Sequence, residues 1–157
     1  MIRKGITLLL ISFASILAAS PFPKGCESIG FGFRDDYLVL NDTGKQTFYM
    51  VHNTSERSIE LQRYETQPAF MAPKLLAKLS ANRWAAFASD IQDFHFKCLY
   101  ISDTNLQPVP CKDVVEVCQY PRVKFALSNM GNYWVSANRS LNKAKREAIS
   151  KGILLRW

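Results

Sequence analysis

Phe94-His95-Phe96-Lys97-Cys98-Leu99-Tyr100-Ile101-Ser102 is the stretch on which the reading of the fold turns. Side chains alternate with a period of two along an extended chain, so Phe94, Phe96, Cys98 and Tyr100 share one face. His95, Lys97 and Leu99 share the other. Similar runs lie on both sides of it. Tyr37 to Leu40, Thr47 to His52, Ser58 to Glu65 and Trp84 to Ser89 precede it, and Val114 to Tyr120, Val123 to Leu127 and Tyr133 to Ala137 follow. Turn-forming clusters separate several of them: Asn41-Asp42-Thr43-Gly44, Asn53-Thr54-Ser55 and Asn129-Met130-Gly131-Asn132. Roughly seven short strands at this spacing predict a mainly β protein. The expected architecture is an antiparallel β-sandwich-like single domain, with a fully antiparallel barrel as the alternative.

Three segments depart from that pattern. Met71 to Leu79 is ambiguous, because Leu75, Leu76 and Leu79 fit one helical face and Ser80 to Asn82 would end it. Asp103 to Pro110 reads as a loop, since Pro108 and Pro110 cannot sit in a central strand. The end of the chain predicts a short basic C-terminal helix. Ser140 would be its N-cap, Leu141, Ala144 and Ala148 its buried face, and Gly152 its C-cap. Ile153 to Trp157 is apolar enough to pack back on the sheet.

The first residues have the plan of a secretory leader. Arg3 and Lys4 precede an uncharged apolar run, Ile6 to Ala19, which ends in the small residues Ala18, Ala19 and Ser20. That run is shorter than the ~20 residues a spanning helix needs. Residues 1–19 are therefore expected to be a signal peptide cut after 19 or 20, and 21–157 a single β-rich disulfide-bonded domain. The mature product is expected to be periplasmic or secreted, with no transmembrane anchor after processing.

All four cysteines, Cys26, Cys98, Cys111 and Cys118, lie in that mature part. An even number in an exported chain points to two disulfides. If the run between Cys111 and Cys118 is extended, their Cα atoms stand ~23 Å apart, well beyond the ~7 Å limit for a bridge. A hairpin of Phe94–Ser102 with Val114–Tyr120 would set Cys98 opposite Cys118 and leave Cys26 for Cys111.

Charge is unevenly distributed. The formal net charge is +7, yet Cys26 to Pro121 holds nine basic and twelve acidic residues. Arg122 to Trp157 holds eight basic residues against the single acid Glu147. Such asymmetry is an electrostatic footprint for an anionic partner or, equally, a solvated helix face. Lys143, Lys145, Arg146 and Lys151 are the candidate contact residues. The partner would be an unknown envelope or host protein, or an anionic surface. Nucleic acid is not expected, because no nucleic-acid motif accompanies the charge.

Catalytic chemistry has little to draw on. His52 and His95 both fall mid-strand, His52 on the face of Phe48 and Met50 as a hydrogen-bonded core residue, His95 beside Lys97 as a surface imidazole. Neither a nucleophile elbow nor a phosphate loop is present, and Ser28 to Gly32 is glycine-rich without the lysine such a loop needs. Asp35-Asp36 and Asp90 with Asp93 are carboxylate pairs that turn chemistry explains. No catalytic residue, metal ligand set or cofactor is assigned. Asn41, Asn53 and Asn138 each begin an N-x-[ST] pattern that could accept a glycan in a eukaryotic secretory route. Trp84, Trp134, Trp157, Tyr100, Tyr120 and Tyr133 are better explained as core than as a ligand face.

Several stretches taken together carry a resemblance: Arg83 to Asp90 (RWAAFASD), Phe94 to Cys98 (FHFKC), Val109 to Ala126 (VPCKDVVEVCQYPRVKFA), Asn132 to Ser140 (NYWVSANRS) and the ending KGILLRW. They resemble the enhanced-entry protein B (EnhB) family, small exported proteins of intracellular bacterial pathogens associated with entry into host cells. The resemblance implies a bacterial periplasmic or exported location and brings no catalytic residues with it. The expected function is that of an exported, non-catalytic accessory or binding protein of a bacterial envelope, linked to host-cell entry. The alternatives are a periplasmic inhibitor of a wall-degrading hydrolase and a small secreted hydrolase.

Overall fold

Alternating apolar residues can bury one face of a strand, whereas runs apolar on both faces require a layer on each side. Both kinds are present. The computed structural model describes residues 22–29, 33–34, 36–40, 47–64, 75–89, 94–103, 105–120, 123 and 133–153. The expected leader, Asp35, Asn41, Asp90, Asp93, Trp157 and the expected turn at 129–132 lie outside them, as does the run from Val123 to Leu127 apart from Val123 itself.

In chain order the elements are β1 (Glu27–Ser28), β2 (Phe33–Arg34), β3 (Tyr37–Leu40), β4 (Thr47–Asn53), β5 (Ile59–Tyr64), β6 (Leu75–Leu79) and β7 (Trp84–Ser89). They continue with β8 (Phe94–Ile101), β9 (Leu106–Val109), α1 (Cys111–Val114), β10 (Val115–Tyr120), β11 (Tyr133–Arg139) and α2 (Leu141–Ser150). The strands form two antiparallel sheets. The first runs β1-β10-β4-β7-β11, the second β2-β3-β8-β5-β6, with β9 also paired to β8. The sandwich-like fold expected from the sequence is the one observed.

Leu38, Leu40, Ile59, Leu61, Leu79, Phe96 and Cys98 from the second sheet meet Tyr49, Val51, Ala85, Phe87, Val115 and Val117 from the first. Phe87 and Phe96 cross this interface with ring centroids 5.0 Å apart. The first sheet is buried on its back as well. There Phe48, Met50, Trp84, Ala86, Ala88, Cys118 and Tyr120 pack with Ala144, Ala148 and Ile153, so α2 and the residue beyond it supply a third layer. Each core leucine or phenylalanine so covered is worth about 1.5–3 kcal/mol relative to exposure. Trp84 and Tyr120 are core residues, as expected.

Several expectations are resolved or corrected. The ambiguous Met71 to Leu79 contains strand β6 at Leu75–Leu79, with Ala77 and Leu79 pointing inward and Leu76 outward. The segment before Pro110 is not all loop, because Leu106–Val109 forms β9, an edge strand where Pro108 needs no ladder partner on its open side. Cys111–Val114 is one helical turn, and extended structure starts at Val115. The hairpin proposed between β8 and β10 does not exist. β8 turns back on β9, and β10 joins the other sheet beside β4.

The disulfide pairing changes with it. Cys98 pairs with Cys111 and Cys26 with Cys118, leaving no free cysteine. The register explains both bridges. Cys98 stands opposite Val109, so the chain reaches Cys111 two residues later on the inner side of the second sheet. Cys118 follows the inward Val117 and therefore points to the back of the first sheet, where Cys26 is packed. A layer of strands separates Cys98 from Cys118, which rules out the bridge first expected. Two disulfides fit maturation in an oxidising compartment outside the cytoplasm. No helix among the described residues is long and apolar enough to cross a membrane.

Candidate functional site

The basic helix α2 begins where the sequence places it, after Ser140, although the Ser140 hydroxyl makes no capping bond. Its end is fixed more firmly. Gly152 takes the left-handed φ of +78°, its N–H donates to Ile149 O, and Ile153 N–H donates to Ala148 O. This double bond pattern closes the helix and drives Ile153 into the core. Ala144 and Ala148, four residues apart, form the buried seam.

The orientation of that seam decides where the charges go. At ~100° per residue, Arg146 lies almost opposite the Ala144–Ala148 seam, with Lys143 close to it on the outer face. Both are exposed, as is Lys151 just beyond the helix, whereas Lys145 is half-buried on one flank. Of the four residues expected to contact an anionic partner, Lys143 and Arg146 therefore share the outer face, and Lys151 is exposed at the end of the helix. Ile149, one turn on from Lys145 and Arg146, is also outward and 49% exposed.

Glu147, the acid of this region, lies on the flank between Lys143 and the sheet. Its carboxylate accepts hydrogen bonds from the Ser136 hydroxyl and from Arg139 Nε, the latter at 2.9 Å and 3.1 Å. The Ser136 bond first, then Arg139 and the charge of Lys143, hold its carboxyl below the usual carboxylate range against partial desolvation. Arg139 is thus consumed by Glu147 on the sheet side. Lys143, Arg146 and Lys151 make no ion pair within hydrogen-bonding reach among the described residues.

The titratable groups considered for catalysis are scattered. His52, on β4, donates from Nε2 to Asn82 Oδ1 at 2.8 Å and stacks on Trp84 with centroids 4.3 Å apart. It is hydrogen-bonded, as expected, but half-buried rather than fully in the core. His95 lies on β8 in the opposite sheet and is 8% exposed, which corrects its reading as a surface imidazole. Asp36 is exposed and belongs to a third place, a groove of about 310 Å³ with Tyr37, Lys97, Leu99, Pro108 and Pro110. The groove opens where β8 exchanges β3 for β9 along its edge, between Phe96 and Cys98. Lys97 Nζ lies 5.7 Å from the Tyr37 ring there. No sequence pattern announces this groove, since its walls come together through two strand registers. Among the described residues no cluster of His, Cys, Asp and Glu could hold a metal ion.

Two of the three glycan-acceptor patterns are described, and Asn53 corrects its reading. It is fully buried, with Nδ2 donating to the carbonyls of Arg57, Leu79 and Ser80 and Oδ1 accepting from Ser55 N–H and Oγ. Asn138 has φ +56° and accepts from Ser80 N–H. The Asn53 side chain is structural, and no glycan can be attached to it in the folded protein.

No protein-family profile, curated protein or solved structure matches the chain.

Proposed function

We propose that this is an exported accessory protein of a bacterial envelope that captures an anionic partner on the outer face of α2, without catalysing a reaction. The observation carrying the proposal is the sorting of charge on one rigid helix. Lys143, Arg146 and Lys151 face solvent, while Glu147 is turned onto Ser136 and Arg139.

Helix stability alone does not favour this arrangement. The first turn of a helix prefers acids, since unpaired N–H groups make that end positive. α2 has no acid in its first turn and carries Lys143 there instead. Residues that oppose local preference are expected where function selects them. The resemblance to the enhanced-entry protein B family supports a role connected with entry into host cells, and the two disulfides support a destination in the periplasm or beyond.

Replacing Lys143, Arg146 and Lys151 by Glu tests this directly. Cross-linking of the mature protein in its envelope should trap a partner with the native chain and lose it with the triple variant, at unchanged thermal midpoint. Equal capture by both would refute the assignment of α2 as the contact surface.

A further inference from the structure

The partner class can be narrowed by what stands among the cations. We propose that α2 docks on an anionic lipid surface, lying in its plane with Lys143 and Arg146 at the headgroups and Ile149 entering the interface. This rests on α2 being the contact surface and adds the identity of what it contacts.

Three observations point to a lipid surface. First, Ile149 is one of few large apolar side chains exposed among the described residues, and it sits one helical turn from Arg146. An aliphatic residue with Lys145 and Arg146 one turn behind it is a pattern of helices that lie in a membrane interface, where apolar insertion and attraction to acidic headgroups act together. Second, the acid of α2 is already paired. Glu147, on the flank beside Lys143, is held by Ser136 and Arg139, so its charge is offset where the helix meets a negatively charged surface. Third, the helix is a convex ridge held on the sandwich through Ala144, Ala148 and Ile153. A ridge about 15 Å long, fixed at its base, offers its outer side chains to a flat surface together. The groove lined by Lys97, on the other sheet, sets its one cation beside the carboxylate of Asp36 instead.

Flotation of the mature protein with vesicles provides the test. Vesicles of phosphatidylcholine alone should bind little, and vesicles containing an equal share of phosphatidylglycerol should bind well at low salt and weakly at high salt. Each Lys or Arg near such a surface contributes about fivefold in affinity, so Lys143→Glu with Arg146→Glu should weaken binding by about thirtyfold or more. Ile149→Ser should weaken it severalfold while leaving the salt dependence intact. Lys112→Glu, at an exposed position of α1, should change nothing, and circular dichroism should confirm that each variant folds. Absence of binding to anionic vesicles by the native chain would overturn the lipid proposal. Retained envelope cross-linking that the charge variant abolishes would then leave the contact surface standing with a protein or glycan partner. Full binding by Ile149→Ser would overturn insertion.

Discussion

Asn53 shows how much a single side chain can organise. It closes β4, yet its amide reaches the loop to β5 and the turn between β6 and β7, both of which cross from one sheet to the other. Its backbone adds bonds to Arg83 and Asn82. Asn53→Ala removes all three amide donations, although Arg57 O keeps the Ser55 hydroxyl and Ser80 O keeps the Arg83 N–H as donors. The expected loss is about 2–4 kcal/mol, read from the urea midpoint at constant slope. A loss below about 1 kcal/mol would show that water replaces the amide. Tyr120 offers a second measurement. Burial pushes its phenol up to about 12 from 10.0. The folded state therefore favours the neutral form, and the resulting stability is complete below the unfolded value. It is lost as pH rises from about 10 toward 12. Tyr120→Phe should flatten that alkaline limb of the stability profile without altering its neutral plateau by a similar shape. A limb unchanged by the substitution would place the alkaline transition elsewhere.

At the scale of elements, α2 carries a conflict that can be measured. Lys143 occupies the third helical position after Ser140, where Gln or Glu would reach back to the Ser140 N–H and supply one half of a capping box. Lys143→Gln should therefore raise stability by about 0.5 kcal/mol while weakening capture of an anionic partner. A variant that loses both stability and capture would make Lys143 structural. Elements of this kind were legible in the sequence. The seam of Ala144 and Ala148, the closing Gly152 and the strands β3, β4, β7 and β11 all follow from local periodicity and turn chemistry. β6 stayed ambiguous because Leu75, Leu76 and Leu79 satisfy a helical pattern about as well as an extended one, and so short a run cannot decide. β9 was missed because a proline excludes a central strand but not an edge. The outer cations of α2 could be named from charge alone, whereas the groove of Asp36, Lys97 and Pro108 depends on which strands neighbour β8. That information is not local.

At the scale of the molecule, the disulfides divide the work of constraint unequally. Cys26–Cys118 spans a sequence separation of 92 and fastens the start of the described chain to the back of the first sheet. Cys98–Cys111 spans 13 and lies inside the first loop, joining β8 to the turn of α1. In the chain-entropy account a bridge stabilises by shrinking the unfolded ensemble, and longer loops gain more. With the inner bridge intact, the outer one still closes roughly eighty residues, so removing it should cost about 4.5 kcal/mol against about 3 kcal/mol for the inner one. Alanine pairs at Cys26 and Cys118, or at Cys98 and Cys111, keep the buried sites apolar, and urea denaturation of each reports the difference. The inner bridge has a second role that entropy does not count. It holds β9 beside β8 and so shapes the groove at their junction, which makes local opening near Pro108 the sharper signature of its loss. Hydrogen exchange should then rise around Leu106 to Pro110 in that variant while the outer-bridge variant leaves those amides protected. A larger global cost for the inner pair would mean that native packing around Cys111, rather than the unfolded chain, sets the stability of the sandwich.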